Sequence, residues 1–294
     1  MIEKYSIVFL AIIIGVYAFF AVPDVFEWYD FSDRINVIQR IDDLKLDSFD
    51  VYLKYLILKP GIDIGFPKLI PFLESIILLV IVYFLAVKIS GQKFGGIVAV
   101  LILSTCNLFL FYDTSLPYDN SWIIFLLLSI YYEKSKFSPV FFIASIFSKP
   151  ITVLYIPSMI FLKLRDKKLG LSFIAIGLVS IFGVGTYYDY FSLTEFAEGI
   201  YDNVYWLYAD PYLIVMIPVV CISLVIARKY GYKNTMIPLA FMINSMIISG
   251  VIEGFTDMYN QGYRYIPLVI FFAIGTSVFL QSKKPKLTSE VLKS

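Results

Sequence analysis

Ionisable side chains stand between apolar stretches at a few places in this chain, and those are where chemistry would have to occur. Asp30 and Asp33 are three residues apart in Trp28-Tyr29-Asp30-Phe31-Ser32-Asp33-Arg34. With Ser32 as N-cap, they fall at the start of a predicted helix, where the helix dipole favours negative charge. The position suits solvated capping charge and leaves a functional carboxylate open. Asp113 and Asp119 share the segment Tyr112-Asp113-Thr114-Ser115-Leu116-Pro117-Tyr118-Asp119-Asn120, in which Pro117 and Asn120 also suit a plain turn. Lys149 sits between two apolar runs in Phe147-Ser148-Lys149-Pro150. An ionisable group at membrane depth faces a cavity or a partner as a rule, the alternative being a lysine that snorkels to the interface. Arg264, in Gly262-Tyr263-Arg264-Tyr265-Ile266-Pro267, either anchors a helix end or offers its planar donor fork to phosphate. Residues 187–210 mix Tyr and Trp with carboxylates, as an interfacial aromatic belt does and as a sugar-stacking surface would.

The 294 residues include no histidine, which excludes His-based zinc sites, Ser-His-Asp triads and haem ligation by imidazole. Acid, base or metal-ligand roles therefore fall to Asp, Glu, Lys, Tyr or Cys. Cys106 and Cys221 both lie within apolar runs, with neither a disulfide framework nor metal-ligand spacing, and read as helix-packing residues.

The elements that must position these groups are set by composition. Hydrophobic residues make up 59% of the chain and charged ones 16%, with mean hydropathy +0.79, far from the mixture of a water-soluble domain. A net charge of +1 carries no basic excess to suggest a nucleic-acid partner. Apolar runs occur near residues 5–22, 69–87, 94–111, 120–132, 137–148, 151–164, 170–188, 211–227, 235–252 and 263–281. The expected fold is therefore all-α, a polytopic transmembrane bundle of about ten spans. The runs between 120 and 164 are short for a span, so broken or re-entrant helices are alternatives there. Residues 1–282 form a single membrane domain and 283–294 a short polar tail. The first run, followed by Pro23 and Asp24, reads as a retained signal anchor.

Counting every run as a span places the basic clusters around Lys88, Lys134, Lys163 to Lys168, Arg228 to Lys233 and the tail on one side. Only Glu3, Glu133, Asp166 and Glu290 of the 23 acidic residues join them. The positive-inside rule makes that side cytoplasmic, with both termini inside and the acidic loop 23–68 on the non-cytoplasmic face. In that loop Ile35, Ile38, Ile41 and Leu44, then Phe49, Tyr52, Leu53 and Leu56, form two helical stripes that predict helices lying along the membrane surface. Gly61, Gly65, Pro67 and Pro71 punctuate the approach to the second span.

In this order the pieces resemble the membrane glycosyltransferases of the GT-C class that use polyprenyl- or dolichyl-phosphate sugars, including the mannosyltransferase and aminoarabinose-transferase branches. The likeness is carried by Asp30 and Asp33 after the first span, Leu116-Pro117-Tyr118-Asp119 after the third, Ser148-Lys149-Pro150, and Arg264-Tyr265-Ile266-Pro267. It covers residues 1 to about 165 and the 260s. The chain departs from the class in carrying Asp30-Phe31 and Asp33-Arg34 where an Asp-Glu pair is usual, and in its shortness.

The resemblance implies an inverting transfer of sugar from a lipid-linked donor to a glycan, lipid or protein acceptor at the outer face, in the plasma membrane of a prokaryote. Asp33 or Asp30 would be the general base on the acceptor hydroxyl. Lys149, Arg264 and Arg34 would hold the donor phosphate, the first two stabilising it as it departs. Asp119 and Asp113 would orient the sugar or a divalent ion. The class has metal-dependent and metal-independent members, so Mg or Mn stays open. A transporter or lipid flippase and a non-catalytic scaffold subunit are the competing expectations, since ionisable groups near broken helices also mark substrate pathways.

Overall fold

The computed structural model describes residues 5–21, 35, 36, 38, 52–114, 120–163, 170–179, 218–226, 235–253 and 265–280. The described residues are mostly helical and contain no strand, in keeping with an all-α chain. The main helices are α1 (Ser6–Ala21), α2 (Tyr52–Asp63), α3 (Leu69–Ser90), α4 (Lys93–Ser104), α5 (Asn107–Tyr112), α6 (Ser121–Tyr131) and α7 (Phe137–Ser148), followed by α8 (Ile156–Lys163), α9 (Met236–Glu253) and α10 (Ile266–Val278). A 3-10 turn, Pro150–Tyr155, leads into α8. Every apolar run of the sequence carries helix. Among the described residues, Leu69–Ser90 is the one helix long and apolar enough to cross a membrane by itself, and the other apolar helices are shorter.

Helix α3 is the central post. Its residues Leu78, Leu79, Val82, Tyr83, Leu85, Ala86 and Ile89 are buried, with helical spacing, and α4, α6 and α10 pack around it. It stops at Gly91, whose φ of 73° is the left-handed C-cap conformation that glycine adopts without steric cost, its N–H bonding Val87 O at 2.7 Å. The chain then reverses into α4, which lies close enough to α3 that a Cβ on Gly96 would stand 2.6 Å from Val87 Cγ2 and 2.7 Å from Tyr83 Cδ2. Small residues allow this close approach, as they do between membrane helices. Helices α6 and α7 form a second hairpin, tied near its turn by the buried Ser129 and Ser138, each hydroxyl donating to the other residue's carbonyl.

The exterior is apolar. On α1, Ser6, Leu10, Tyr17 and Ala21 form a buried seam, while Ile7, Val8, Phe9, Ile12, Val16, Phe19 and Phe20 are exposed. A continuous exposed apolar face of this kind marks a membrane or partner surface.

Three local features add detail to the runs and stripes of the sequence. The run 94–111 is broken at Thr105 and Cys106 into α4 and α5, because the Thr105 hydroxyl bonds back to Leu101 O at 2.7 Å and Cys106 takes an extended backbone. The run 151–164 begins as a 3-10 turn, because Lys149 before Pro150 is extended at φ −156° and ψ 109°. In the first loop, Leu56 does not lie on the buried face. That face is Lys54, Tyr55, Leu58 and Ile62, with Ile38 packed among the apolar three and Ile35 and Ile70 against them. Pairing with Ile35 and Ile38, rather than the run of leucines, rotates the helix. Ile41, Leu44 and Phe49 lie outside the described residues.

Candidate functional site

The helices bring their polar side chains together at two levels. At one, Lys88 near the end of α3 donates to Tyr131 O at the end of α6, lies 5.1 Å over the Tyr131 ring and pairs with Glu133 at 3.5 Å. The other lies near the start of α3, about 20 Å away at 1.5 Å rise per residue, and holds a denser, buried set.

That set begins with Asp113, at the end of α5 and almost wholly buried. Its carboxylate accepts the Tyr17 hydroxyl at 2.6 Å, joining α1 to the turn after α5. Its carbonyl accepts the Ser75 hydroxyl at 2.6 Å. Ser75 in turn accepts from Asn120 Nδ2 at 2.6 Å, and the Asn120 backbone N–H donates to Glu74 Oε2 at 3.2 Å. Glu74 thus sits at the N-terminus of α6, where the helix dipole favours a carboxylate. Glu74, Ser75, Asp113 and Asn120 are all buried, two of them acidic in apolar surroundings. Groups so costly to bury are retained where they are tied together or used.

A second group of hydrogen bonds, joined to this set through the start of α6, brackets Lys149. The Ser145 hydroxyl donates to Trp122 O at 2.6 Å and lies 3.1 Å from Thr152 Oγ1, bracing α7 against the start of α6 and against the 3-10 turn. Between those bonds the chain turns at Lys149, and its half-buried ammonium stands 5.5 Å over the Trp122 ring. The indole is within cation–π reach, which keeps the cation at the site rather than extended into solvent. Trp122 also packs on Tyr155, 6.3 Å between centroids, and Tyr155 continues into a stack with Phe241 and Phe271. Helix α2 packs against α3, α6 and α7, beside this end of the bundle.

Of the residues singled out by sequence, Asp113 and Lys149 are therefore at one end of the helices, with Trp122 and Asn120 between them. Asp30, Asp33, Arg34, Asp119 and Arg264 lie outside the described residues. Asp113 is engaged by Tyr17, so its geometry is that of a pin between α1 and α5 as well as of a site carboxylate. Glu74 and Asp113 are the carboxylates of this set, and no group of three His, Cys, Asp or Glu side chains that could hold a metal ion occurs among the described residues. Tyr17, Ser75, Asn120 and Trp122 escaped sequence reasoning; the available signal was a polar residue recurring near the same ends of successive apolar runs. No family model, curated protein or solved structure matches this chain.

Proposed function

We propose that the chain is an integral membrane protein of about ten spans that transfers a sugar from a polyprenyl-phosphate donor to an acceptor at its non-cytoplasmic face. The observation that carries this reading is that a half-buried lysine over an aromatic ring and two buried carboxylates lie at the same end of the helices, where the acidic loop begins. The apolar exterior, with Leu69–Ser90 long enough to span, supports membrane insertion. A lipid phosphate among such groups needs a cation; Lys149 is one, and Arg264 and Arg34 are the further cations that the resemblance assigns to it.

In the reaction the acceptor hydroxyl attacks the anomeric carbon, the carbon–oxygen bond to phosphate breaks, and the lipid phosphate leaves with the electron pair. Asp33 or Asp30 removes the hydroxyl proton. Lys149 stabilises negative charge growing on the departing phosphate, and Asp113 and Asp119 orient the sugar. Purified protein supplied with a polyprenyl-phosphate hexose should release lipid phosphate and form a glycosylated product. Lys149→Ala should lower the rate about 10²-fold or more, the order expected for loss of one preorganised charge-stabilising group. Full transfer by Lys149→Ala, or by Asp30→Asn and Asp33→Asn both, removes those roles.

Transport is a second reading, favoured by the broken helices at Thr105-Cys106 and Lys149-Pro150, since discontinuous helices line substrate pathways. Reconstituted vesicles separate the two: flipping of a labelled polyprenyl-phosphate sugar without glycosyl transfer favours transport.

A further inference from the structure

The geometry points to the lysine-rich end of the bundle, opposite the polar set at the start of α3, as a binding site for an anionic phospholipid. Lys88 is its centre, with Lys93, Lys134 and Lys136 around it. The inference rests on the membrane part of the reading above and is independent of sugar transfer.

Two turns make the patch. Lys88 and Lys93 flank the Gly91 turn between α3 and α4, which the Ser90 hydroxyl closes by accepting the Gln92 N–H at 3.2 Å. Lys134 and Lys136 lie in the turn between α6 and α7. Lys88 draws the two turns together, since it bonds Tyr131 O, stands 5.1 Å over the Tyr131 ring and meets Glu133 at 3.5 Å. Segments 88–93 and 131–137 hold these four lysines, all exposed, against Glu133 alone.

Lys88 is the anchored member. An ammonium carries three protons. Tyr131 O takes one and Glu133 faces another, which leaves the third for an anion outside the protein, and the side chain is 37% exposed. Its position identifies that anion. Leu73, Ile77, Phe84 and Lys88 fall on one face of α3 at helical spacing, and the three apolar ones are exposed, so Lys88 ends an outward apolar stripe. On α7, Phe137, Val140, Ile143 and Phe147 form a second exposed stripe. It begins directly after Lys136, whose ammonium stands 5.9 Å over the Phe137 ring. Tyr132, exposed and next in sequence to Glu133, stacks on Phe141 with centroids 5.6 Å apart.

Lysines and aromatic rings at the margin of outward apolar stripes match a molecule that joins an anionic head to hydrocarbon tails, with phosphate on the lysines and acyl chains along the stripes. An acidic soluble protein or a nucleic acid would use the lysines and leave the stripes bare. A choline head group would set its own cation against four lysines, so net negative charge selects among phospholipids.

The test uses the full chain in neutral detergent and native mass spectrometry with added dioleoylphosphatidylglycerol or dioleoylphosphatidylcholine, which share their chains and differ in net charge. Wild type should bind the anionic lipid more tightly. Lys88→Gln and Lys136→Gln should each weaken that lipid about fivefold, the effect of one lysine at an anionic lipid surface, and leave the choline lipid unchanged. Glu133→Gln removes the one carboxylate of the patch and should strengthen the anionic lipid by a similar factor. A folding defect would weaken both lipids and would not produce this rise. Equal binding of the two lipids by wild type overturns the site, and so does a preference that survives Lys88→Gln, Lys134→Gln and Lys136→Gln combined. Lysine-dependent binding of a soluble polyglutamate peptide, with no preference between the lipids, overturns it in favour of an acidic protein partner. A chain that stays soluble when detergent is removed overturns membrane insertion itself, whereas sugar transfer is read separately by the donor assay.

Discussion

Tyr17 and Asp113 form the contact on which the polar set depends, because it joins the first helix to a turn 96 residues away. A hydrogen bond to a buried carboxylate contributes more than a neutral one, about 1.5–3 kcal/mol. Tyr17→Phe should therefore lower stability in chemical unfolding by that order. Asp113→Asn, which removes the charge but keeps the shape, should cost less when added to Tyr17→Phe than alone, with a coupling of about 0.5–3 kcal/mol. Additive costs would mean that the two side chains do not act as a pair. Asp113 and Lys149 were legible in the sequence because charge between apolar runs is rare. Tyr17, Ser75, Asn120 and Trp122 were not, because Tyr and Trp are ordinary at membrane interfaces and Ser is ordinary between packed helices. What distinguishes them is the partner, and a partner distant in sequence leaves no local trace.

At the scale of elements, the hydrophobic runs and, for α2, the apolar stripe of the first loop located the main helices among the described residues, but not every helix's end or face. The break at Thr105 depends on a side chain bonding its own backbone, and the face of α2 depends on Ile35 and Ile38, neither of which periodicity within one segment can show. Of the residues expected to punctuate this stretch, Gly65 takes φ 78° in the turn after α2, whereas Gly61 lies inside α2 and Pro71 inside α3; a Cβ on Gly61 would stand 2.9 Å from Ile70 Cγ1. The α3–α4 contact offers a test of packing. Gly96→Leu would force Val87 and Tyr83 aside and should destabilise by about 1–3 kcal/mol. Gly15→Ala on α1, where a Cβ meets nothing within 4 Å, should be neutral or stabilising by up to about 1 kcal/mol. Equal losses at both positions would refute close packing at Gly96. Across the far ends of α3 and α6, Glu133→Gln should change stability by less than about 1 kcal/mol, because the ion pair with Lys88 is partly exposed.

For the whole molecule, the arrangement of polar groups bears on topology in a way that charge counting alone did not. The chain places Glu74 and Lys88 near opposite ends of α3, the first with Asn120 and the second with Tyr131 and Glu133, so α6 runs parallel to α3, and α4 and α5 make the return stroke between them, from Gly95 beside Ser90 to Asp113 beside Ser75. The same alternation sends α7 from Ser138, beside Ser129, to Ser145, beside Trp122. Successive helices thus reverse direction, as spans joined by short loops must, and the Lys88 end coincides with the loops richest in lysine. If the basic loops are cytoplasmic, the Asn120, Trp122 and Lys149 end faces outward with α2 beside it. Asp63 at the end of α2 and Lys134 between α6 and α7 are both exposed and belong to opposite ends. In a chain with Cys106 and Cys221 replaced by alanine, Asp63→Cys should react with a membrane-impermeant maleimide on intact cells. Lys134→Cys should react only after the membrane is opened. Labelling of both from outside would refute a membrane between the two ends, and the reverse pattern would turn the molecule over, putting the proposed transfer on the cytoplasmic face, where a donor facing outward could not reach it.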